Sequence, residues 1–112
     1  MRRSFDGATV VVSGAGNGLG RALALRFARG GANVVVLDRD SGAVATVAGE
    51  LAQTGAEALA SICDVTDASA CQAAIAATIA RFGRIDVLVN NAGISHRSPF
   101  AVTDTAVLRR VI

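Results

Sequence analysis

The chain has 112 residues, a net charge of +2, 52% apolar residues, 4% aromatics and two cysteines. That length holds one domain at most, and an apolar half rich in alanine suits helices packed closely on a sheet and argues against a disordered chain. The charges are scattered without a basic, aromatic-laced stripe for nucleic acid, and no apolar run reaches the length of a membrane span.

The chain opens on "MRRSF". An arginine pair ahead of Phe5 has the outline of an export signal, but no unbroken apolar region follows it, so the protein is read as cytoplasmic. Short apolar runs then alternate with stretches of helical period. Strands are predicted at 8–13, 33–38, 58–63 and 86–90, and helices at 18–29, 41–53 and 67–82, with a last one starting near Thr103. Gly30 and Gly31 stop the first helix, Gly55 the second and Gly83 the third, and Asp67 is placed to cap the third at its start. The strands are nearly continuous in Val, Leu and Ile, as when both faces of a sheet are covered. Strands alternating with helices predict right-handed crossovers and a parallel sheet. Cys63 ends the third strand and Cys71 lies in the third helix. Without metal-like spacing or a partner histidine, they read as small buried hydrophobes in a reducing compartment.

The first strand runs into "SGAGNGLG", which has glycine at every second position from Gly14 to Gly20. Glycines between a strand and a helix let a phosphate approach the free N–H groups and the positive dipole end of that helix. A Cβ at Gly14 or Gly18 would hold a phosphate off, and Gly20 lies where the helix must pass close to the strand. The spacing G-x-G-x-x-G is not met. G-x-x-x-G-x-G is met by Gly14, Gly18 and Gly20, and the shorter G-x-G-x-G also fits, which leaves a methyltransferase open. A Walker A loop is excluded, because no Lys-Ser or Lys-Thr follows.

Asp38 ends the second strand, where a carboxylate can accept from both hydroxyls of an adenosine ribose and repel a 2′-phosphate. The plainer alternative is a solvated loop acid or a helix cap. Arg39 beside it could instead meet a 2′-phosphate, whereas Asn17 in the glycine turn carries no charge for one. On balance NAD is favoured over NADP. Asp64 could accept from an adenine amino group while Val65 covers the ring, or could simply belong to the cap of the next helix. Asn90, Asn91, Ala92 and Gly93 follow the fourth strand. Buried amides there must be hydrogen-bonded, and Asn90 is assigned to tying strand ends together. His96 and Arg97 lie in the loop beyond, and His96 is given no catalytic role.

Taken together, "VVVSGAGNGLGRALALRFARGGANVVVLDRD", "CDVTD" and "IDVLVNNAGI" resemble the amino-terminal half of the short-chain dehydrogenase/reductase family. Ser13 stands where that family usually has Thr, and Leu19 where Ile is common. The resemblance implies a Rossmann-like, doubly wound parallel sheet, here about four strands in the order 3-2-1-4. It implies an oxidoreductase that moves hydride between a nicotinamide and an alcohol or carbonyl. Gly14, Asn17, Gly18, Leu19 and Gly20 would surround the pyrophosphate and adenosine, Asp38 the ribose, and Asp64 and Val65 the adenine. Asn91, Ala92 and Gly93 would lie beside the nicotinamide-side ribose.

One departure is large. The family's chemistry uses Asn, Ser and a Tyr-x-x-x-Lys pair, and this chain has no tyrosine, carries arginine at all eleven basic positions and ends on "LRRVI". No catalytic residue and no metal ligand is assigned. The chain is expected to be the cofactor-binding part of a single domain and inactive alone, with homo-oligomers expected only of a full-length form. The competing reading is a stand-alone, non-catalytic dinucleotide-binding or interaction module. With the fourth strand as an edge, apolar "VLVNNAG" is expected to invite pairing with other chains and aggregation of the isolated chain.

Overall fold

A computed structural model of the chain describes residues 5–16 and 18–91. Asn17, Ala92, Gly93, His96, Arg97 and the helix expected from Thr103 lie outside the described residues. The elements run β1 (Thr9–Ser13), α1 (Gly18–Arg29), β2 (Asn33–Asp38), α2 (Ser41–Gln53), β3 (Ala58–Ile62), α3 (Ala68–Phe82) and β4 (Val87–Asn90). The strands form one parallel sheet in the order β3-β2-β1-β4, the doubly wound, Rossmann-like arrangement expected.

The strand sequences explain the layering. Side chains alternate across a strand, and β1 and β2 carry apolar residues on both sides. Val10, Val12, Val34 and Val36 face α1 and α2, where they meet Ala24, Phe27, Ala28, Val44, Val47 and Leu51. Val11, Val35, Leu37 and Leu88 face the other way, onto Cys71 and Ala74 of α3 and onto Ile85. Each valine or leucine so buried stabilises the fold by about 1.5–3 kcal/mol.

The helix ends follow local chemistry. The Asp40 carboxylate accepts from the Ala43 amide to start α2, and the Asp67 carboxylate accepts from Ser69 and Ala70 to start α3. Gly31, Gly55 and Gly83 take the positive φ that turns the chain away after each helix. Gly30, where α1 ends as expected, has a second task. A Cβ there would stand 2.4 Å from the Phe5 ring, which packs edge-on against Phe27.

Register sets where a ligand can sit. Ser13 aligns with Leu37 on one side and Asn90 on the other, and Asp38 aligns with Ile62. The carboxyl ends of all four parallel strands therefore lie together at one end of the sheet. The strand order reverses between β1 and β4, and ligands of open α/β sheets settle in the crevice at such a reversal.

Candidate functional site

The turn after β1 is shaped by its glycines. Gly14 and Gly18 have φ of +63° and +58°, a region that L side chains rarely adopt. A Cβ on Gly18 would meet nothing within 4 Å among the described residues, which leaves the space over the start of α1 open on their side. The first turn of α1 carries no acidic residue, leaving the positive end of its dipole uncompensated, while Arg26 and Arg29 complement the other end. Gly20 is the opposite case: its Cβ would lie 2.1 Å from the Gly14 carbonyl oxygen and 2.8 Å from the Asn91 amide nitrogen. Helix and turn therefore touch backbone to backbone, as the spacing suggested. The Asn91 side chain donates to the same Gly14 oxygen at 3.3 Å.

Asn90 and Ser13 join the two central strands. The Ser13 hydroxyl lies 3.2 Å from Asn90 Oδ1 and 3.3 Å from the Val89 carbonyl oxygen, with one proton to donate between them. This is the strand-tying role expected of Asn90, and it is why a hydroxyl at position 13 matters.

At the end of β2, both oxygens of Asp38 are anchored. Oδ2 accepts from the Gly16 amide at 2.9 Å and Oδ1 from the Asp40 amide at 3.0 Å. The Ala15 amide donates to the Leu37 carbonyl at 3.2 Å, so the glycine turn is tied to β2 along its length. After β3, Asp64 Oδ1 accepts from both the hydroxyl and the amide of Thr66, at 2.7 and 2.9 Å. These two bonds, with a smaller contribution from the Arg39 charge, hold the Asp64 carboxyl below the usual carboxylate range. Asp64 thus remains ionised in a local turn just ahead of the α3 cap.

Gly14, Asp38, Arg39, Asp64 and Val65 line one cleft of about 270 Å³, together with Cys63 and Thr66. Gly18, Leu19 and Gly20 open α1 outside that lining, and Asn91, just after β4, reaches Gly14 and Gly20 there. The Leu19 side chain stands 66% exposed there, an apolar group left to solvent. Gly16 is not needed by the G-x-x-x-G-x-G spacing, yet a Cβ on it would stand 2.8 Å from Asp38 Oδ2 and 2.7 Å from the Ala43 Cβ. Cys63 and Cys71 are buried, as expected, and burial pushes both thiols up, Cys71 to about 12. They remain protonated and unreactive near neutral pH. Among the described residues no group of three or more His, Cys, Asp or Glu is gathered to hold a metal ion, and no helix is long and apolar enough to cross a membrane.

Chemically, the arrangement offers a helix N-terminus for an anion, a fixed carboxylate with spare lone pairs for hydroxyl donors, and an apolar rim at Val65. Comparison with known proteins places this geometry. The family pattern described as short chain dehydrogenase matches residues 8–112. The 7alpha-hydroxysteroid dehydrogenase of Escherichia coli strain K12 is 40% identical over 96 residues, which cover 86% of this chain and 38% of that protein. The crystal structure of an NAD+-bound xylitol dehydrogenase superposes with a TM-score of 0.79 at 36% identity, over 81% of this chain and 35% of that one. A short chain dehydrogenase/reductase from Burkholderia phymatum in complex with NAD gives a TM-score of 0.77 at 40% identity, over 80% of this chain and 32% of that one. The chain thus spans well under half the length of these three proteins. With a matching pattern over nearly all of its residues and the fold in agreement, the chain belongs to the short chain dehydrogenase family.

Proposed function

We propose that the cleft holds the adenosine end of NAD(H), and that the chain is the cofactor-holding part of an oxidoreductase acting on an alcohol or carbonyl. The observation that carries this reading is Asp38. Its carboxylate is fixed at the rim of the cleft by two amide donors, yet uses only one lone pair on each oxygen for them. A carboxylate has about four acceptor positions, so it keeps room for the paired hydroxyls of a ribose. The same charge, placed there, repels a 2′-phosphate. NAD is therefore preferred over NADP, although Arg39 is adjacent.

The remaining residues fit the rest of such a cofactor. The open space over Gly18 and the start of α1 suits its diphosphate, with Gly14 and Gly20 keeping the backbone low and Asn17 and Leu19 flanking it. Val65 covers the adenine and Asp64 accepts from its amino group. Asn91, Ala92 and Gly93 belong beside the nicotinamide-side ribose. Both NAD-bearing relatives named above support this assignment by their likeness to the chain. When bound, the nicotinamide ring supplies the hydride acceptor. Proton transfer to or from substrate needs a positioned acid or base, and the tyrosine and lysine that the resemblance calls for are absent from these 112 residues. The role of this chain is to bind and orient the cofactor within a single Rossmann-type domain.

The test is a titration of the chain with NADH and NADPH, followed by the fluorescence of the reduced nicotinamide. NADH is expected to bind more tightly, and Asp38→Ala to narrow the gap. Equal affinities in the unaltered chain would refute the role given to Asp38. Production of NADH from any alcohol by the purified chain would refute the assignment of a binding role alone.

A further inference from the structure

We infer that Gly16 sets the dinucleotide preference of the cleft by positioning the Asp38 carboxylate. This rests on the reading of the cleft as an NAD site and adds a determinant that the glycine spacing leaves free to vary. Gly14, Gly18 and Gly20 satisfy that spacing without it.

Four distances carry the inference. The Gly16 amide donates to Asp38 Oδ2 at 2.9 Å. A Cβ on Gly16 would fall 2.8 Å from that same oxygen, 3.1 Å from the Asp38 carboxyl carbon and 2.7 Å from the Ala43 Cβ. The contacts at 2.7 and 2.8 Å are closer than real Cβ atoms come, and the one at 3.1 Å is tight. Neither neighbour can yield cheaply. The Ala43 Cβ has no torsion of its own and sits in the first turn of α2, which the Asp40 carboxylate caps through the Ala43 amide. The other Asp38 oxygen is held by the Asp40 amide at 3.0 Å, so rotating the carboxylate away breaks a second bond. A methyl at position 16 must therefore lift the turn off α2. That movement draws the Gly16 amide away from Oδ2, and the carboxylate loses the anchor that aims its free lone pairs into the cleft. Gly16 is a positioning residue: it acts on the ligand through Asp38.

The experiment is a double-mutant cycle read as the ratio of NADPH to NADH dissociation constants. Gly16→Ala is expected to shrink that ratio on the order of tenfold, the worth of one charge-assisted hydrogen bond to the ribose. In an Asp38→Ala background the same substitution is expected to leave the ratio unchanged within about twofold, because no carboxylate remains to be misplaced. A ratio that shifts equally in both backgrounds, or in neither, overturns the inference while leaving the NAD reading intact. Should Gly16→Ala fail to fold, Gly16→Ala with Ala43→Gly removes the contact with α2 and keeps the contact with Asp38. It must show the same loss of preference, and a folded pair that retains the preference also overturns the inference. If the folded, unaltered chain binds neither NADH nor NADPH, the reading of the cleft fails and the inference goes with it.

Discussion

Two glycines of one motif should separate cleanly under substitution by alanine. At Gly20 the new methyl would stand 2.1 Å from the Gly14 carbonyl oxygen. An ordinary carbon–oxygen contact is more than 1 Å longer, and both partners belong to the backbone, so no side chain can swing aside. Forcing an extra methyl into such a site costs about 1–3 kcal/mol. Displacing the Asn91 amide from the Gly14 oxygen costs about 0.5–1.5 kcal/mol more. Replacing glycine by alanine inside a helix returns roughly 0.5–1 kcal/mol. The balance is a net loss of about 0.5–4 kcal/mol, centred on ~2 kcal/mol, or roughly 10 °C in Tm for a domain of this size. At Gly18 the methyl meets nothing within 4 Å among the described residues, and the cost from them is the left-handed backbone alone, about 1–2 kcal/mol. Its methyl, however, projects into the space proposed for the diphosphate. Urea unfolding and NADH titration on both variants are the assays. Gly20→Ala should lower the urea midpoint more, and Gly18→Ala should weaken NADH more per unit of stability lost. A Gly20→Ala chain within about 0.5 kcal/mol of the parent would refute the backbone contact on which this reasoning stands.

Alkaline pH tests the buried thiols. Burial raises Cys63 and Cys71 above the ordinary thiol value of 9.0, Cys71 to about 12, so stability present at neutral pH is lost as pH rises from about 9 toward 12. The slope is about 1.4 kcal/mol per pH unit for each thiol kept protonated, and with no lysine or tyrosine in the chain the cysteines dominate that range. Urea midpoints from pH 8.5 to 10.5 should fall, less steeply in Cys71→Ala, and a flat profile would refute the thiol burial. Asp67→Ala removes the acceptor for two α3 amides and should cost about 1 kcal/mol, read as a lowered Tm with NADH preference unchanged. Leu51→Ala empties a fully buried position between α2 and the sheet and should cost about 2–5 kcal/mol in urea unfolding.

The strands were legible because their chemistry is local. Runs such as Val10 to Val12 and Val34 to Leu37 can only be interior, and the boundaries found differ from those expected by about a residue. At 86, for example, the Asp86 carboxylate accepts from the Thr9 amide just ahead of β4 instead of joining the strand. The glycine at position 20 was equally legible, since its place one turn into a helix after a tight turn already implies contact. Gly16 was not. Its confinement comes from Ala43 and Asp38, 27 and 22 positions away, and depends on how α2 packs against the turn. No count of glycine spacings contains that information. Cys63 shows the same limit: its burial followed from composition, but its place in the wall of the cleft follows from the pairing of Asp38 with Ile62.

The polar groups at this end of the sheet form a continuous tie across all four strands. Asn90 meets Ser13, Asn91 meets Gly14, the Ala15 amide meets Leu37, Gly16 meets Asp38, and the Cys63 amide meets the Asp38 carbonyl. Ser13 and Asn90 join strand to strand, Gly14 and Asn91 join turn to turn, and the other three links join a turn to β2, so none depends on a ligand to hold its geometry. A site arranged in advance loses less conformational freedom when it binds, and that saving appears directly as affinity. It also makes the site sensitive to substitutions that never touch a ligand. A methyl at Gly16 or Gly20 acts by opening one link, and the links on either side then carry strain. On the proposed reading of the cleft, selectivity is a property of the tie as a whole: Asp38 supplies the charge, and its neighbours decide where that charge is aimed.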